Sequence, residues 1–507
     1  MLRPICTGIF IILLSVVCFA QDRFNIVDTA IGGASMPDLF HMDGNNLFIA
    51  AQSNLDFTVM DLGRFDKNGA LLQHKEIKLD SSKWLSNCGK CLKHLNGSFY
   101  FAYNAFVAAD SAFVVFNKLN ANLDTLKTSW HSSFQSSQPL IRVMKADSDS
   151  TFLVAGLCYR EPQGRFKYDL WIGRVDTSFN FLWQDRITDN YQNFFEGYCG
   201  YDIQVDQYGS FLVTGNLKID NGAGGNLLIE KSFIGRFDVK TGSKFWLKEF
   251  DGIAASQDIF CLNAGEGKYY FAENEIYNYF LNSDIHDSAR IRFGVIDTSG
   301  ALQWDSIILK TNTPFYISDL IFAKDSNLYL SGTRRIKPAN FMSAGYKFSW
   351  SGDSIWYRSY YYDDSADYSE IWAFTPIADS GYIHVGPWVD VFDPKASYIQ
   401  TWILRTDKYG CVIDGCQSMS HKYFDKLQSS IFIYPNPNNS GMINIDGLKD
   451  LVGYLTLIDS QGRYLKQIGI NEIQVLHLDV SNLKSGVYFL NFISEDGSSI
   501  VEKIIIQ

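Results

Sequence analysis

The sequence predicts an all-β protein in which a seven-bladed β-propeller precedes a small immunoglobulin-like β-sandwich. Two observations lead to this prediction. Short strand patterns recur about every 57 residues through residues 21–416, and alternating strands with glycine turns fill residues 430–507. Composition agrees, because 46% of the 507 residues are hydrophobic, 15% are aromatic and only 20% are charged. Such a chain can bury a large core, which excludes a disordered or fibrous protein.

Residues 1–20 predict a secretory signal peptide. A short positive start is followed by an apolar stretch at residues 5–17, and small residues precede a cleavage site between Ala20 and Gln21. Acylation of Cys18 is the alternative, and the bulky residue before it disfavours that processing. The apolar stretch is too short for a transmembrane helix, and no later segment has the apolar length to span a bilayer.

The charge balance limits the classes of partner. The net charge is −11, from 44 basic and 55 acidic residues, and no basic run offsets the acidic surplus. A uniformly acidic protein is repelled by phosphate backbones, so we expect no nucleic-acid partner. For the same reason we expect no docking on anionic lipid through a polybasic patch.

Each repeat begins with a hairpin whose second strand is a short apolar run. A polar turn rich in Asp, Asn and Gly precedes each run, which is the chemistry of a tight hairpin. The clearest runs are Phe152–Gly156 (FLVAG), Phe211–Gly215, Leu328–Gly332 and Tyr382–Gly386. Looser copies complete a set of seven: Leu47–Ala51, Phe99–Tyr103 and Tyr269–Glu273.

A second hairpin follows in each repeat, and its first strand ends in an Asp-led turn, as in Gly235-Arg236-Phe237-Asp238. Four short strands per repeat, seven times, predict a β-propeller; a flat β-solenoid is the alternative, but its repeats are usually far shorter. The strand after the turn often opens with tryptophan. Packing between adjacent repeats is favoured over a cofactor role, because every unit must bury the same face. These residues are Trp183, Trp246, Trp304 and Trp356.

The seventh repeat ends early, and this predicts how the ring closes. No long fourth strand follows Asp407, whereas the mature N-terminus supplies a spare strand at Phe24–Ile31. If this strand pairs into the last blade, the ring is closed and no edge strand stays exposed.

Removal of the signal leaves seven cysteines, and an exported protein meets an oxidising space. We therefore expect disulfides in the close pairs Cys88–Cys91 and Cys411–Cys416, the second of which would clamp the end of the ring. A zinc ribbon would need a second CxxC, which is absent, and a redox CxxC would need a helix N-terminus. The three others, of which one must stay unpaired, are Cys158, Cys199 and Cys261.

No pattern predicts a catalytic site, a cofactor or a metal. The eight histidines are scattered, and the sequence has neither a GxSxG elbow nor a phosphate loop. The acidic segments Asp363–Asp367 and Asp147–Asp149 could touch calcium, but neither has the full loop pattern, so solvated turns are favoured. A pair of catalytic carboxylates for glycoside cleavage remains an alternative, because in propeller glycosidases the two residues come from different blades.

One feature favours ligand binding. Loops that share one face of the propeller are long and rich in aromatic and acidic residues, which suits the apolar faces and hydroxyl groups of sugar rings. The alternative is that these aromatic residues pack at the bases of their loops. The candidate ligand-binding residues are Tyr191, Phe194, Tyr198, Tyr277, Tyr361, Tyr368 and Trp388.

The C-terminal residues carry motifs in a fixed order. They are Tyr434-Pro435-Asn436-Pro437, Gly441 before Met442–Ile445, Leu457-Ile458-Asp459 with Gly462, Asp479–Leu483, Ser485–Phe489 and Lys503–Ile505. Together they resemble the type A sorting domain of the type IX (Por) secretion system of Bacteroidetes. Alternating strands and glycine turns independently predict a small β-sandwich whose last strand ends at the terminus, where a receptor could reach it.

The resemblance implies a route and a partner. The signal peptide would take the chain across the inner membrane, and residues 430–507 would engage the type IX machinery for the outer membrane. This domain would then be removed, leaving the mature protein secreted or attached to surface lipopolysaccharide. Residues 417–429, which are polar and unpatterned, are the predicted linker.

Two functions fit these expectations. The first is a non-enzymatic secreted or cell-surface protein that binds a glycan or a protein through the propeller face. The second is a secreted hydrolase, specifically a glycosidase, with carboxylates drawn from several blades. Two inward carboxylates about 5–10 Å apart in a central pocket would indicate hydrolysis. An open channel would indicate binding.

Overall fold

A computed structural model gives the architecture. It describes residues 24–32, 38–42, 46–52, 58–66, 69–78, 84–108, 111–132, 138–159, 168–188, 197–220, 228–250, 258–277, 288–311, 315–337, 340–360, 368–377, 380–389, 400–412, 432–439, 441–448, 452–459, 464–471, 475–494 and 499–507. Within these ranges the chain forms 36 strands and no helix, which confirms the all-β prediction.

The described strands of the larger domain form seven four-stranded blades. β1 (Phe24–Gly32) belongs to the last of them. The first blade contains β2 (Asp38–Met42), β3 (Asn46–Gln52), β4 (Val59–Asp66) and β5 (Leu71–Lys78). The second contains β6 (Trp84–Leu95), β7 (Ser98–Ala108), β8 (Ser111–Leu119) and β9 (Thr125–His131). The third contains β10 (Gln138–Ala146), β11 (Thr151–Tyr159), β12 (Tyr168–Asp176) and β13 (Phe181–Ile187).

The remaining blades follow the same plan. The fourth contains β14 (Gly197–Val205), β15 (Ser210–Asp220), β16 (Leu228–Asp238) and β17 (Lys244–Glu249). The fifth contains β18 (Ile259–Gly265), β19 (Lys268–Tyr277), β20 (Ser288–Asp297) and β21 (Leu302–Thr311). The sixth contains β22 (Phe315–Phe322), β23 (Leu328–Lys337), β24 (Asn340–Phe348) and β25 (Ser354–Tyr360). The seventh contains β26 (Tyr368–Ser369) and β27 (Ala373–Pro376), which both pair with β28 and together form its first strand, then β28 (Tyr382–Val389), β29 (Gln400–Thr406) and β1.

The first strands of the blades form a closed ring. Strands β2, β6, β10, β14, β18, β22 and β27 each contact the next, and β27 contacts β2 again. Within a blade the strands then pair in chain order away from this ring. A closed ring of radial four-stranded sheets is a β-propeller, as the repeats predict.

Burial follows the position of a strand in its blade. The second strand β11 is buried along nearly its whole length, because both of its faces lie against neighbouring blades. The fourth strand β5 alternates between half-buried and exposed residues, because only one of its faces is covered. The position of a strand in its blade therefore explains both the apolar runs and the alternating outer strands.

Three of the recurrent tryptophans, Trp183, Trp246 and Trp356, join adjacent blades, which confirms the packing interpretation for them. The Trp356 ring centroid lies 6.5 Å from that of Tyr382 in the seventh blade. Trp183 Nε1 donates to the carbonyl of Val239 at 2.9 Å, and Trp246 Nε1 donates to that of Thr298 at 2.8 Å. Both acceptors lie in the turn between the third and fourth strands of the next blade. Trp304 differs, since it is 36% exposed and packs edge-on against Phe293 of its own blade.

The ring closes as predicted. β1 pairs antiparallel with β29, with Phe24 opposite Arg405 and Ile26 opposite Ile403. The N-terminal strand is therefore the fourth strand of the seventh blade, and it covers the outer edge of β29. Cys411 is buried just beyond β29, whereas Cys416 lies outside the described residues. The clamp between them stays a prediction.

The C-terminal residues fold into two facing sheets. β30 (Phe432–Tyr434), β31 (Met442–Asp446) and β34 (Val475–Asp479) form one sheet. β32 (Val452–Asp459), β33 (Tyr464–Asn471), β35 (Gly486–Ser494) and β36 (Ser499–Ile506) form the other in the order β33-β32-β35-β36. Apolar side chains from both sheets share one core, so the sandwich is confirmed. Its assignment to the immunoglobulin type, and the domain limits at residues 416, 417 and 430, stay predictions.

One edge of the last strand is covered over residues 503–507, and access of a receptor to this strand stays a prediction. Asn436 donates from Nδ2 to the carbonyl of Lys503 at 2.7 Å, and its Oδ1 accepts from the Ile505 backbone at 3.0 Å. Asn438 continues the pairing, since its N–H donates to the Ile505 carbonyl and its carbonyl accepts from Gln507, each at 2.7 Å. The Tyr-Pro-Asn-Pro motif therefore seals this edge.

Candidate functional site

The inner strands of the seven blades share one register position near the centre of the ring. Asp202 lies opposite Thr214, Asp319 lies opposite Ser331, and the same pairing places an equivalent residue in most other blades. In sequence, each of these residues stands thirteen positions before the last residue of the apolar run in its repeat. In chain order they are Asp38, Lys90, Val143, Asp202, Phe260, Asp319 and Ala373.

A β-bulge positions Asp202 and Asp319. The register shifts between Gly200 and Asp202 in β14, and between Ile317 and Asp319 in β22. A bulge inserts one residue and re-aims its neighbours. It also explains the glycine that ends the apolar run, because a Cβ at Gly332 would lie 2.2 Å from the carbonyl oxygen of Tyr316.

Blade five shows the converse. Its inner strand pairs without a shift at this point, with Ile259 opposite Glu273 and Phe260 opposite Ala272. No carbonyl is pushed towards the second strand there, so a glutamate replaces the glycine. The loosest copies of the apolar run are therefore those whose blades lack this kind of bulge.

Lys90 reaches the channel on an enlarged bulge. Asn87 pairs with Tyr103 and Leu92 pairs with Phe101, so the four residues Cys88-Gly89-Lys90-Cys91 lie opposite a single residue of β7. Lys90 then bridges to Val143 of the next inner strand. The CGKC segment, interpreted above only as a disulfide pair, carries a cation to the centre of the ring.

Three blades meet at this cation. Lys90 Nζ lies 2.9 Å from Oδ1 of Asp319 in blade six and 3.9 Å from Oδ1 of Asp202 in blade four. All three side chains are largely buried, with exposed fractions of 18%, 19% and 7% for Lys90, Asp319 and Asp202. We call Lys90, Asp202 and Asp319 the channel cluster.

The surroundings of the channel cluster are partly apolar. The Lys90 ammonium lies 4.4 Å from the centre of the Phe260 ring, within the range of a cation–π contact. Gln204 Nε2 donates to Oδ2 of Asp202 at 3.0 Å. The cluster therefore offers a donor, several carboxylate acceptors and an aromatic ring within a few ångströms.

The two carboxylates and the lysine are electrostatically linked. Burial raises the pKa of the Asp319 carboxyl above its ordinary value, Lys90 opposes this rise, and the charge of Asp202 adds to it. Two carboxylates therefore share one ammonium, and the second negative charge is only partly compensated.

The structure does not describe the side chains of most of the aromatic residues predicted to bind ligand. Tyr191, Phe194 and Tyr361 fall outside the described residues. Tyr198, Tyr277 and Tyr368 have described backbones in β14, β19 and β26, but their side chains are not described. Trp388 is half-buried and packs against the apolar core of the seventh blade, as the packing alternative expects.

The acidic turn considered for calcium has a structural partner. Oδ2 of Asp147 lies 2.8 Å from Nη2 of Arg174, and its Oδ1 accepts from the Thr151 hydroxyl at 2.6 Å. The same pairing recurs in blade four, where Arg236 lies 3.2 Å from Asp206. The arginine of the Gly-Arg-x-Asp motif thus holds the first turn of its own blade, a role that the sequence pattern did not reveal.

Among the described residues, one group has ligand atoms close enough for a metal: Asp61, His74 and Glu76 on the outer strands of blade one. His74 Nε2 lies 3.0 Å from Asp61, and Glu76 pairs with Lys78 at 2.6 Å. These pairings describe a structural ion network.

Cys158 and Cys261 are both buried, and burial raises the pKa of Cys261 far above its ordinary value. Cys199 and Cys88 have no described side chains, so the pairing of Cys88 with Cys91 stays a prediction.

Comparison with protein families accounts for the smaller domain. Residues 432–507 match the secretion system C-terminal sorting domain. The C-terminal domain is a type IX sorting domain. The protein is therefore exported to the outer surface or secreted, and its sorting domain interacts with the type IX machinery. Among the described residues, no helix has the length and apolar character of a membrane span.

Solved structures of low identity align with the chain, and a comparison with curated proteins finds no match. An α-L-arabinofuranosidase of Fusarium graminearum with arabinobiose is 8% identical, with 61% of this chain and 93% of that chain covered and a TM-score of 0.39. Drosophila semaphorin 1a, extracellular domains 1–2, is 8% identical, with 80% and 92% covered and a TM-score of 0.40. The quinohemoprotein alcohol dehydrogenase of Comamonas testosteroni is 9% identical, with 96% and 76% covered and a TM-score of 0.37. At these TM-scores none of them bears on function.

Proposed function

We propose that the protein is a non-enzymatic glycan-binding protein, delivered outside the cell by the type IX system, which holds its ligand over the channel cluster. The observation that carries this proposal is the meeting of Lys90, Asp202 and Asp319 from three different blades.

The fold itself does not require charge at this position. The equivalent residues in blades three and seven are Val143 and Ala373, which are buried and apolar. A buried ion cluster costs desolvation and is often no more stable than an apolar replacement of similar volume. Buried, mutually perturbed charges therefore favour a functional explanation over a structural one.

The chemistry of the cluster suits sugars. Carboxylates accept hydrogen bonds from hydroxyl groups, an ammonium donates to hydroxyl or ring oxygens, and an aromatic ring such as Phe260 packs against the apolar face of a sugar. A protein ligand would use the same face and is an alternative outcome of the test.

Glycoside hydrolysis is the second candidate, because two carboxylates face the channel and the pKa of one of them is raised. Binding is favoured over cleavage by the position of Lys90. Its ammonium lies 2.9 and 3.9 Å from the two carboxylates and occupies the space that a scissile bond would need. A substrate could enter only by displacing the lysine from both partners.

The test is a polysaccharide panel, lipopolysaccharide included, incubated with the secreted protein and read for both retention and new reducing ends. We expect one glycan class to be retained with no reducing ends released. The matched control is the variant Lys90→Met, Asp202→Asn, Asp319→Asn, which should retain none of it. Release of reducing ends would establish the hydrolase instead, and equal retention by the control would move the ligand away from the channel.

The processing steps belong to the same proposal. We infer cleavage between Ala20 and Gln21, disulfides in the two close cysteine pairs, and release from or attachment to surface lipopolysaccharide after removal of the sorting domain. N-terminal sequencing and the intact mass of the secreted protein before and after reduction test the first two. A start other than Gln21 would contradict the predicted cleavage.

A further inference from the structure

The ion network of blade one places three metal-ligating side chains on one face of its outer strands. Asp61 of β4 lies directly opposite Glu76 of β5, and His74 lies two residues before Glu76 on the same strand. Alternate residues of a strand share a face, so the three side chains project to the same side. Opposite His74 lies Gly63, which has no side chain, and the imidazole therefore reaches across β4 to Asp61.

The donor atoms of these residues are spaced like the ligands of one metal ion. Nε2 of His74 lies 3.0 Å from Oδ1 of Asp61, and with a carboxylate oxygen of Glu76 all three atoms lie within 4.8 Å of one another. In a tetrahedral zinc site with bonds of about 2.0–2.1 Å, neighbouring ligand atoms are about 3.3 Å apart. Small side-chain rotations would therefore bring all three atoms to bonding distance.

Asp61 places a charge at a core position of the blade. It stands five residues before the residue that opens the turn between the third and fourth strands, and its side chain is 5% exposed. In blade five the equivalent residue is Arg292, which pairs with Asp305. Burial of a carboxylate costs desolvation, so a bound cation explains this charge better than packing does. The equivalents in the other five blades are apolar and fully buried: Val115, Trp171, Phe233, Ala344 and Trp402.

The two carboxylates of the site repel each other, because like charges directly opposite on neighbouring strands are destabilising. Lys78 contacts Glu76 at 2.6 Å, but this lysine is 66% exposed, and a surface ion pair of this kind contributes little. The hydrogen bond between His74 and Asp61 supplies no positive charge while the imidazole is neutral. A divalent cation held by both carboxylates would remove the repulsion.

The donor set selects the kind of ion. One imidazole nitrogen and two carboxylate oxygens suit Zn²⁺, whereas Ca²⁺ and Mg²⁺ prefer oxygen ligands alone. Three protein ligands leave the fourth position of a tetrahedral zinc ion to water. The side chains of His74 and Glu76 are 29% and 43% exposed, so an ion can enter from solvent.

The site lies on the face of blade one that meets blade seven. Phe65, four residues after Asp61 and on the same face of β4, belongs to one buried cluster with Ile383 and Ile403 of blade seven. An ion bound at Asp61 would therefore hold β4 and β5 together beside the seam at which the ring closes.

We propose that Asp61, His74 and Glu76 bind a zinc ion, which stabilises blade one beside this seam. The ammonium of Lys78 leaves Glu76 when the ion binds. This inference goes beyond the proposed glycan binding and is independent of it, because the three ligands lie on outer strands and not at the channel cluster.

The experiment is a calorimetric titration of Zn²⁺ into the full chain after treatment with a chelator. We expect one zinc ion per chain and an unfolding temperature that rises with zinc, because the ion binds the folded state. His74→Ala should bind zinc at least about tenfold more weakly, since one of three ligands is lost. His131→Ala, which removes a histidine from the outer strand of blade two, should bind zinc like the wild type.

A second variant predicts a change of opposite sign. Lys78→Met removes the cation that competes for Glu76 and should tighten zinc binding about two- to fivefold. Unchanged or weaker binding by this variant would contradict the part of Glu76 in the site. Glu76→Gln, at an exposed position, replaces His74→Ala if that variant does not fold, with the same expected loss. Absence of zinc binding by the wild type, or equal binding by the wild type and the ligand variant, would overturn the proposal.

Discussion

The two domains break the usual distribution of polarity in opposite ways. The propeller buries Lys90, Asp202 and Asp319 at a position where blade three has valine and blade seven has alanine. The sorting domain turns Ile458 and Phe489 towards solvent, where a sandwich would place polar residues. Burial of these charges costs desolvation, and we propose that they mark a ligand site. The apolar residues of the sorting domain share their face with charge, since exposed Lys503 lies opposite Phe489.

The largest expected effect comes from the strand that closes the ring. A chain lacking residues 24–32 loses the whole pairing of β1 with β29 and exposes an edge on the seventh blade. We expect loss of cooperative unfolding near the wild-type temperature and aggregation of the propeller. A synthetic peptide of residues 24–32 should restore part of the stability when added back. Calorimetric unfolding unchanged by the deletion would mean that closure does not depend on β1.

The channel cluster should respond asymmetrically to substitution. Lys90→Met leaves two buried carboxylates with no cation between them, and we expect the free energy of unfolding to fall by about 3–5 kcal/mol. Adding Asp202→Asn and Asp319→Asn should recover most of that loss, because no buried charge then remains unpaired. Denaturant unfolding of the single and triple variants measures the difference. Equal stability of Lys90→Met and wild type would show that the cluster is not buried as described.

The sequence predicts the features of the propeller that belong to a local pattern and does not predict the channel cluster. The Asp-led turns, the joining tryptophans and the spare first strand each belong to a local pattern, so strand number and closure could be predicted. Asp202 and Asp319 look like ordinary strand residues, and Lys90 lies in a segment dominated by its cysteines. Only alignment of all seven repeats on their apolar runs, followed by a count back of thirteen positions, brings the three together.

The sorting domain shows the complementary limit. Its motifs identified the family, because glycine turns and strand ends recur at fixed spacing. They did not reveal that Asn436 and Asn438 fold back onto the last strand, since such pairing links residues far apart in sequence. Nor did they separate the core side of β35 from its outer side, because both carry large apolar residues.

A smaller effect separates tryptophans that join blades from one that does not. Trp246→Leu loses the 2.8 Å hydrogen bond to Thr298 and the contact of its ring with Gly300, and should cost about 2 kcal/mol. Trp304→Leu, at a half-exposed position within one blade, should cost less than about 1 kcal/mol. Thermal unfolding of the two variants side by side checks the order. A larger loss for Trp304→Leu would contradict the assignment.

The smallest effect concerns a second buried charge in the propeller. Burial, with a contribution from Glu275, raises the pKa of Glu273 from its ordinary 4.5 to about 7. The folded state therefore holds this proton more tightly than the unfolded state, and stability should fall as pH rises from about 5 to 8. In Glu273→Gln the free energy of unfolding lost between pH 5 and pH 8 should be smaller by on the order of 1–2 kcal/mol. Arg292 should keep its 2.7 Å contact with Asp305 in this variant. An identical dependence of stability on pH in the wild type and the variant would contradict the raised pKa of Glu273.

The central claim is that a ligand binds over the channel cluster. The most direct measurement is a calorimetric titration of the glycan retained in the polysaccharide panel into the wild-type protein and into the variant Lys90→Met, Asp202→Asn, Asp319→Asn. We predict that the wild type binds and that the variant, which keeps most of the wild-type stability, binds at least about tenfold more weakly, a loss of about 1.4 kcal/mol. Equal affinity of the two proteins would contradict the claim and place the ligand elsewhere on the propeller.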